Sequence, residues 1–205
     1  MSDQVTKMKH LNRKLVGSNL ARNRGLVLFS GGQDSTTCIA WALGRYREVV
    51  TVGFDYGQNH SVELACRKEI LRALEADFDW PGSLGDDYLV DLPFIGALST
   101  SSLTSSTPIT RSKSGLPSTF VPGRNLFFVT AAASLAYQLD ISEIIIGACD
   151  TDYSGYPDCR KEFIMSFEGL INKSTKKGIS GRKFRIMSPL IDLTKKDIII
   201  LGKKN

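Results

Sequence analysis

Short apolar runs alternate along this chain with longer segments whose apolar positions return every three or four residues. The runs "LVLF" (26–29), "EVVTVGF" (48–54), "DYLVDL" (87–92) and "EIIIGA" (143–148), bounded by Gly, Asp or Ser, predict four buried strands. Between them, "SVELACRKEILRALEADF" places Val62, Cys66, Ile70 and Leu74, with Ala65 and Ala73, on one helical face. "CRKEFIMSFEGLINK" does the same with Phe163, Ile164, Phe167, Leu170 and Ile171. "LFFVTAAASLAYQ" reads as a further helix with Asn125 as its N-cap. The order βαβα predicts an α/β fold, a mostly parallel sheet with helices on both faces. Such sheets bind ligands beyond the carboxyl ends of their strands, which singles out the loops "SGGQDS", "DYGQNHS" and "CDTDYSGYPD".

Composition narrows the class. A chain of 205 residues with 42% hydrophobic content fills one core, so residues 25–205 are expected to form a single catalytic domain. Residues 1–24 are polar, basic and aperiodic and read as a flexible arm. Residues 98–123 are Ser/Thr-rich and longer than a normal connection, as in a functional loop or a disordered one. The net charge of +5 gathers in the first 24 residues and between Lys173 and Lys204. Without a nucleic-acid motif, these runs read as solvated faces, and no nucleic-acid partner is expected. A basic balance suits small anions such as ATP. Cys38, Cys66, Cys149 and Cys159 show neither disulfide-framework nor CxxC spacing, and no apolar run approaches a membrane span. Reduced thiols in a cytoplasmic protein are expected.

The first loop carries the most specific chemistry. Gly31 and Gly32 allow close approach to an anion, Ser30 and Ser35 add hydroxyls, and a helix opening near Asp34 would aim free N–H groups at the same point. A plain strand-to-helix turn capped by Asp34 or Ser35 would use the same residues. The ordered string SGGxDS fits neither GxxxxGK[ST] nor GxGxxG, and no lysine follows its glycines. It resembles the signature of the PP-loop ATP pyrophosphatase superfamily. With "GFDYGQNHSVE", "STFVPGRNLFF", "CDTDYSGYPDCR" and "SPLIDLTKKDII", the stretch "FSGGQDSTTC" resembles the 7-cyano-7-deazaguanine synthase family from about Leu26 to Gly202.

That resemblance implies a Rossmann-like PP-loop fold and ATP as a substrate with Mg2+. It further implies activation of 7-carboxy-7-deazaguanine as an adenylate, displacement of AMP by ammonia, and a second activation that dehydrates the amide to the nitrile. Ser30, Asp34, Ser35 and Arg124 are the candidate catalytic residues. ATP would contact Phe29, Ser30, Gly31, Gly32, Gln33, Asp34, Ser35, Thr36, Thr37, Cys38 and Ile39, together with Asp55 after the second strand. Tyr56, Gln58, Arg124, Asp152, Tyr153, Tyr156, Asp158 and Arg160 would hold the deazaguanine. A carboxylate from Asp158 or Asp152 can accept the amidine N–H pair of a guanine-like ring, and Tyr153 or Tyr156 can stack on its face. Asp158 would equally cap the next helix. Arg124, a cation at a helix N-terminus, makes dipole sense where an anion shares the site. His60 can act as a base toward ammonia or merely bond a carbonyl. An adenylate needs no protein nucleophile, so Cys149 and Cys159 are not expected to act covalently.

The family also carries a C-terminal four-cysteine zinc segment, and this chain stops at "IIILGKKN" without it. No zinc ligand is therefore expected, and Thr194 can open only about two helical turns. A homodimer is left open. The alternative readings are an ATP- or deazaguanine-binding protein with little turnover and another PP-loop adenylating ligase.

Overall fold

The computed structural model describes residues 22–58, 62–76, 79–97, 121–149 and 156–202. Five parallel strands make one sheet: β1 (Arg22–Leu28), β2 (Tyr46–Asp55), β3 (Ser83–Asp91), β4 (Glu143–Ile145) and β5 (Arg185–Met187), in the order β3-β2-β1-β4-β5. The helices are α1 (Gln33–Leu43), α2 (Val62–Ala76), α3 (Pro93–Ala97), α4 (Arg124–Gln138), α5 (Lys161–Ser174), α6 (Lys176–Ile179) and α7 (Lys195–Gly202). Four strands fall where the apolar runs place them, but β3 is not the buried strand expected: it lies at the sheet edge with its residues exposed or half-buried. The fifth is three residues inside the basic stretch "GRKFRIMSP", too short and too charged for its neighbours to reveal it.

Strand alternation divides the core in two. Leu26 and Leu28, paired in register with Val50 and Val52, face α4 and α5, where Val129, Ala132, Ala136, Phe167 and Ile171 complete the layer. Val27, Phe29 and Ile145 face the other way, onto Ile39 and Leu43 of α1, Leu74 of α2 and Ile198 of α7. The alanines of α4 let its backbone come close to the sheet. β1 is central, with β2 on one side and β4 on the other, so the chain reverses its winding direction between β1 and β4. A crevice at such a switch point is where doubly wound sheets take their ligands.

Three expectations need correction. The sheet begins at Arg22, within the segment read as an arm, and Arg24 is held there by Glu48 at 2.9 Å and the Leu139 carbonyl at 3.0 Å. Residues 1–21 lie outside the described part. On α2, Val62, Cys66, Ala65 and Ala73 are exposed, because the helix is rotated to bury Arg67 and Leu74. Apolar periodicity could not register an arginine as the inward residue. On α5, Leu170 points to solvent while Ile164, Phe167 and Ile171 are buried.

Candidate active site

The loop after β1 is tied to itself by its serines. Ser35 Oγ accepts from the Ser30 N–H at 3.2 Å and donates to the Gly32 carbonyl at 2.9 Å, while Ser30 Oγ accepts from the Gly32 N–H at 3.1 Å. The two hydroxyl oxygens lie 3.1 Å apart. Gly31 has φ of 93°, and a Cβ there would run into the Glu63 carbonyl of α2. Both facts demand glycine. Gly32, with no side-chain bond, is the N-cap of α1, so neither Asp34 nor Ser35 caps this helix. Its first-turn residues Gln33, Asp34 and Ser35 instead line a cleft.

Beneath the loop, Arg67 is 2% exposed and donates to the Phe29 carbonyl, to the Asp87 carboxylate and, at 3.1 Å, to the Tyr88 carbonyl. Burial pulls its pKa down, and the Asp87 charge opposes that shift. Gly53 on β2 leaves room for the guanidinium. Arg67 thus anchors the strand end from which the loop departs.

The opposite wall comes from the N-terminus of α4. Gly123, with φ of 71°, precedes the helix, and Asn125 lies inside its first turn, which corrects the N-cap expectation. Asp158 supplies the cap from across the chain: its Oδ2 accepts the Asn125 N–H at 3.0 Å, and its carbonyl accepts Asn125 Nδ2 at 3.3 Å. The Arg124 guanidinium sits 5.5 Å over the Tyr156 ring. Phe128 stacks on Phe54 with centroids 4.7 Å apart and planes 9° from parallel, and Tyr56 tilts against Phe128 at 5.3 Å. The open cleft, about 590 Å3, therefore has a polar floor at the serine loop and a flat aromatic side.

The cleft brings together Phe29, Ser30, Gly32, Gln33, Asp34, Ser35, Tyr56, Gln58, Arg124 and Tyr156 of the expected residues. Gln58 is fixed by its own loop, accepting from the Tyr56 N–H at 3.0 Å and donating to the Phe54 carbonyl at 3.3 Å. Asp55 accepts the Gly57 N–H at 3.0 Å, a turn-forming contact. Thr36 and Thr37 donate back to the Gly32 and Gln33 carbonyls within α1. Cys38 and Ile39 are fully buried against the sheet, which corrects their expected nucleotide contact: the helix carries them to its core face. Burial raises the Cys38 pKa, with the Asp34 charge adding to the shift. Asp158 is buried at the α4 cap, and Arg160 is exposed. Asp152, Tyr153, His60 and the 98–120 part of the long loop lie outside the described residues.

Sequence reasoning passed over Glu63, Asn125, Phe128, Cys159 and Lys195 as cleft residues. Phe54 and Phe128 looked like ordinary core, and Lys195 was lost in a basic run. Cys149 Sγ donates to the Leu193 carbonyl at 2.8 Å, and Cys159 Sγ lies 3.2 Å from Asn125 Nδ2. Both thiols are tied to the scaffold.

Comparison with known proteins decides among the ligases such a cleft suits. The "Queuosine biosynthesis protein QueC" family matches residues 24–205. The chain belongs to the QueC family. It is 50% identical over 171 residues to the 7-cyano-7-deazaguanine synthase of Bradyrhizobium sp., covering 83% of this chain and 70% of that one. The Burkholderia mallei synthase is 48% identical over 178 residues, covering 86% and 71%. The activity of this QueC-family chain is that of a 7-cyano-7-deazaguanine synthase, a ligase of queuosine biosynthesis, and the family uses ATP. Among solved structures, a 4-thiouridine synthetase in complex with RNA and bound ATP aligns at a TM-score of 0.56 with 20% identity, over 89% of this chain and 40% of that one. A predicted tRNA methyltransferase subunit of Methanocaldococcus jannaschii aligns at 0.53 with 16% identity, over 88% and 74%. These likenesses establish the shared fold. No helix among the described residues is long and apolar enough to cross a membrane.

Proposed function

We propose that the cleft adenylates 7-carboxy-7-deazaguanine and then its amide, with ammonia supplying the nitrogen between the two activations. The observation that carries this reading is the meeting, at the β1/β4 switch point, of the self-bonded SGGQDS loop with Arg124 and a flat aromatic side. The loop N–H groups and the α1 N-terminus would take the β- and γ-phosphates of ATP, with Ser30 and Ser35 placing hydroxyls beside them. Phe128, backed by Phe54, and Tyr156 offer ring surface to planar groups, and Arg124 offers a cation to the acid or the α-phosphate.

In the first activation a carboxylate oxygen attacks the α-phosphorus, and the bond from that phosphorus to the bridging oxygen breaks. Diphosphate leaves with the electron pair. Ammonia then attacks the acyl carbon, and AMP departs. In the second activation the amide oxygen attacks the α-phosphorus of another ATP, and a second diphosphate leaves with the electron pair of the broken bridging bond. Loss of that oxygen in AMP, with both N–H protons, leaves the nitrile.

Mg2+ is commonly held by one or two carboxylates plus substrate phosphates, and it would neutralise phosphate charge. Asp34 in the cleft, with the Glu63 carboxylate near Gly32, fits that donor set. Among the described residues there is no group of three or more His, Cys, Asp or Glu able to bind a metal.

The test measures AMP and diphosphate release by the full chain. Release is expected only with 7-carboxy-7-deazaguanine and, for the amide and nitrile products, ammonia. Ser30→Ala and Asp34→Asn should lower it by roughly a hundredfold, the scale for losing an oriented charge-stabilising group, with small shifts in melting temperature. Dependence on tRNA or another acid would overturn the proposed substrate, and equal losses of rate and stability would reduce the loop to a structural turn.

A further inference from the structure

Three helix N-termini converge on the cleft. Gln33 and Asp34 open α1, Arg124 and Asn125 open α4, and Lys195 opens α7, and all five residues line it. Two of the three helices carry a cation as their first residue, against their own dipoles. For α4 the proposed function above gives Arg124 an anion. The same reasoning applies to Lys195.

Lys195 is held in place by the rest of α7. Thr194 and Asp197 form a reciprocal cap, in which Asp197 Oδ2 accepts from the Thr194 N–H at 3.1 Å and the Asp197 N–H donates to Thr194 Oγ1 at 3.2 Å. Ile198, with no exposed surface, pins the helix to the sheet. From that position Lys195 Nζ reaches Asp34 Oδ2 at 2.6 Å, across 161 residues of sequence. The lysine side chain stays 49% exposed and the aspartate 25%. A surface pair of this kind contributes little to stability. Its value lies in placing an ammonium beside the serine loop, where no lysine follows the glycines.

We infer that Lys195 binds the leaving diphosphate directly, its ammonium shared between the Asp34 carboxylate and the β- or γ-phosphate oxygens. When the α-phosphorus bond breaks and the electron pair passes to the diphosphate, the added charge appears on the side where this cation stands. The inference rests on the nucleotide reading of the cleft.

Calorimetric titration of the full chain with inorganic diphosphate, and separately with AMP, tests it. Lys195→Met should weaken diphosphate binding by about tenfold to a hundredfold, the range for losing a hydrogen bond to a charged group, and leave AMP binding within about twofold. Lys195→Arg should restore most of the diphosphate affinity. The loss should persist when Asp34→Asn is already present. Disappearance of the loss in that background would mean that Lys195 acts only by holding Asp34, and would overturn the inference. An unchanged diphosphate affinity in a folded Lys195→Met chain would overturn it as well. If the unaltered chain binds neither ATP nor diphosphate, the nucleotide reading itself fails, which is a different result from a Lys195 variant that behaves like the parent.

Discussion

Gly31 shows how much of a site can depend on one missing side chain. Its φ of 93° and the Glu63 carbonyl beside it both exclude a Cβ, so the serine loop closes onto α2 without a gap. Gly57 also has a positive φ, 76°, but nothing lies within 4 Å of the place a Cβ would occupy. The two glycines separate strain from collision. Gly57→Ala should lose only the backbone term, about 1 to 3 kcal/mol, whereas Gly31→Ala should lose more and also weaken ATP binding. Thermal melts with and without ATP distinguish them. A Gly31→Ala chain as stable as Gly57→Ala, with unchanged ATP affinity, would show that contact with Glu63 is unimportant.

Among the elements, α7 is where local sequence and tertiary packing are most nearly balanced. Eight residues make too short a helix to persist in water on propensity alone, and here a cap and one buried isoleucine hold it. Ile198→Ala should destabilise the fold by about 2 to 5 kcal/mol in urea unfolding. Thr194 bonding holds the Asp197 carboxyl below its ordinary value of 3.8, with smaller help from Lys196. A depressed carboxylate stabilises above its unfolded pKa and loses that contribution as pH falls through the folded one. The stability difference between the parent and Asp197→Asn should therefore be constant near neutrality and shrink below about pH 4.

The elements also show what sequence could and could not convey. β1, β2 and β4 were legible because strands buried on both faces read as continuous apolar runs, and the loop was legible because its chemistry is ordered along one stretch. The face of α2 was not, since Arg67 is buried by partners on β3 and at the end of β1. The Asp158 cap on Asn125 and the Lys195 pair with Asp34 join segments far apart in sequence, and no local pattern encodes them.

At the scale of the whole molecule, the order β3-β2-β1-β4-β5 puts the first strand made in the middle of the finished sheet. One of its two edges waits for β4, and the contact of Asp34 with Lys195 waits longer, for α7. At about 5 to 20 residues per second, the 161 residues between Asp34 and Lys195 take on the order of 10 to 30 s to synthesise. On refolding from urea, far-UV ellipticity is therefore expected to recover ahead of ATP binding; simultaneous recovery would show that α7 docks with the rest. The serine loop closes on itself through Ser30 and Ser35 well before α7 is made, so its contact with Lys195 is a late addition to a turn that has already formed.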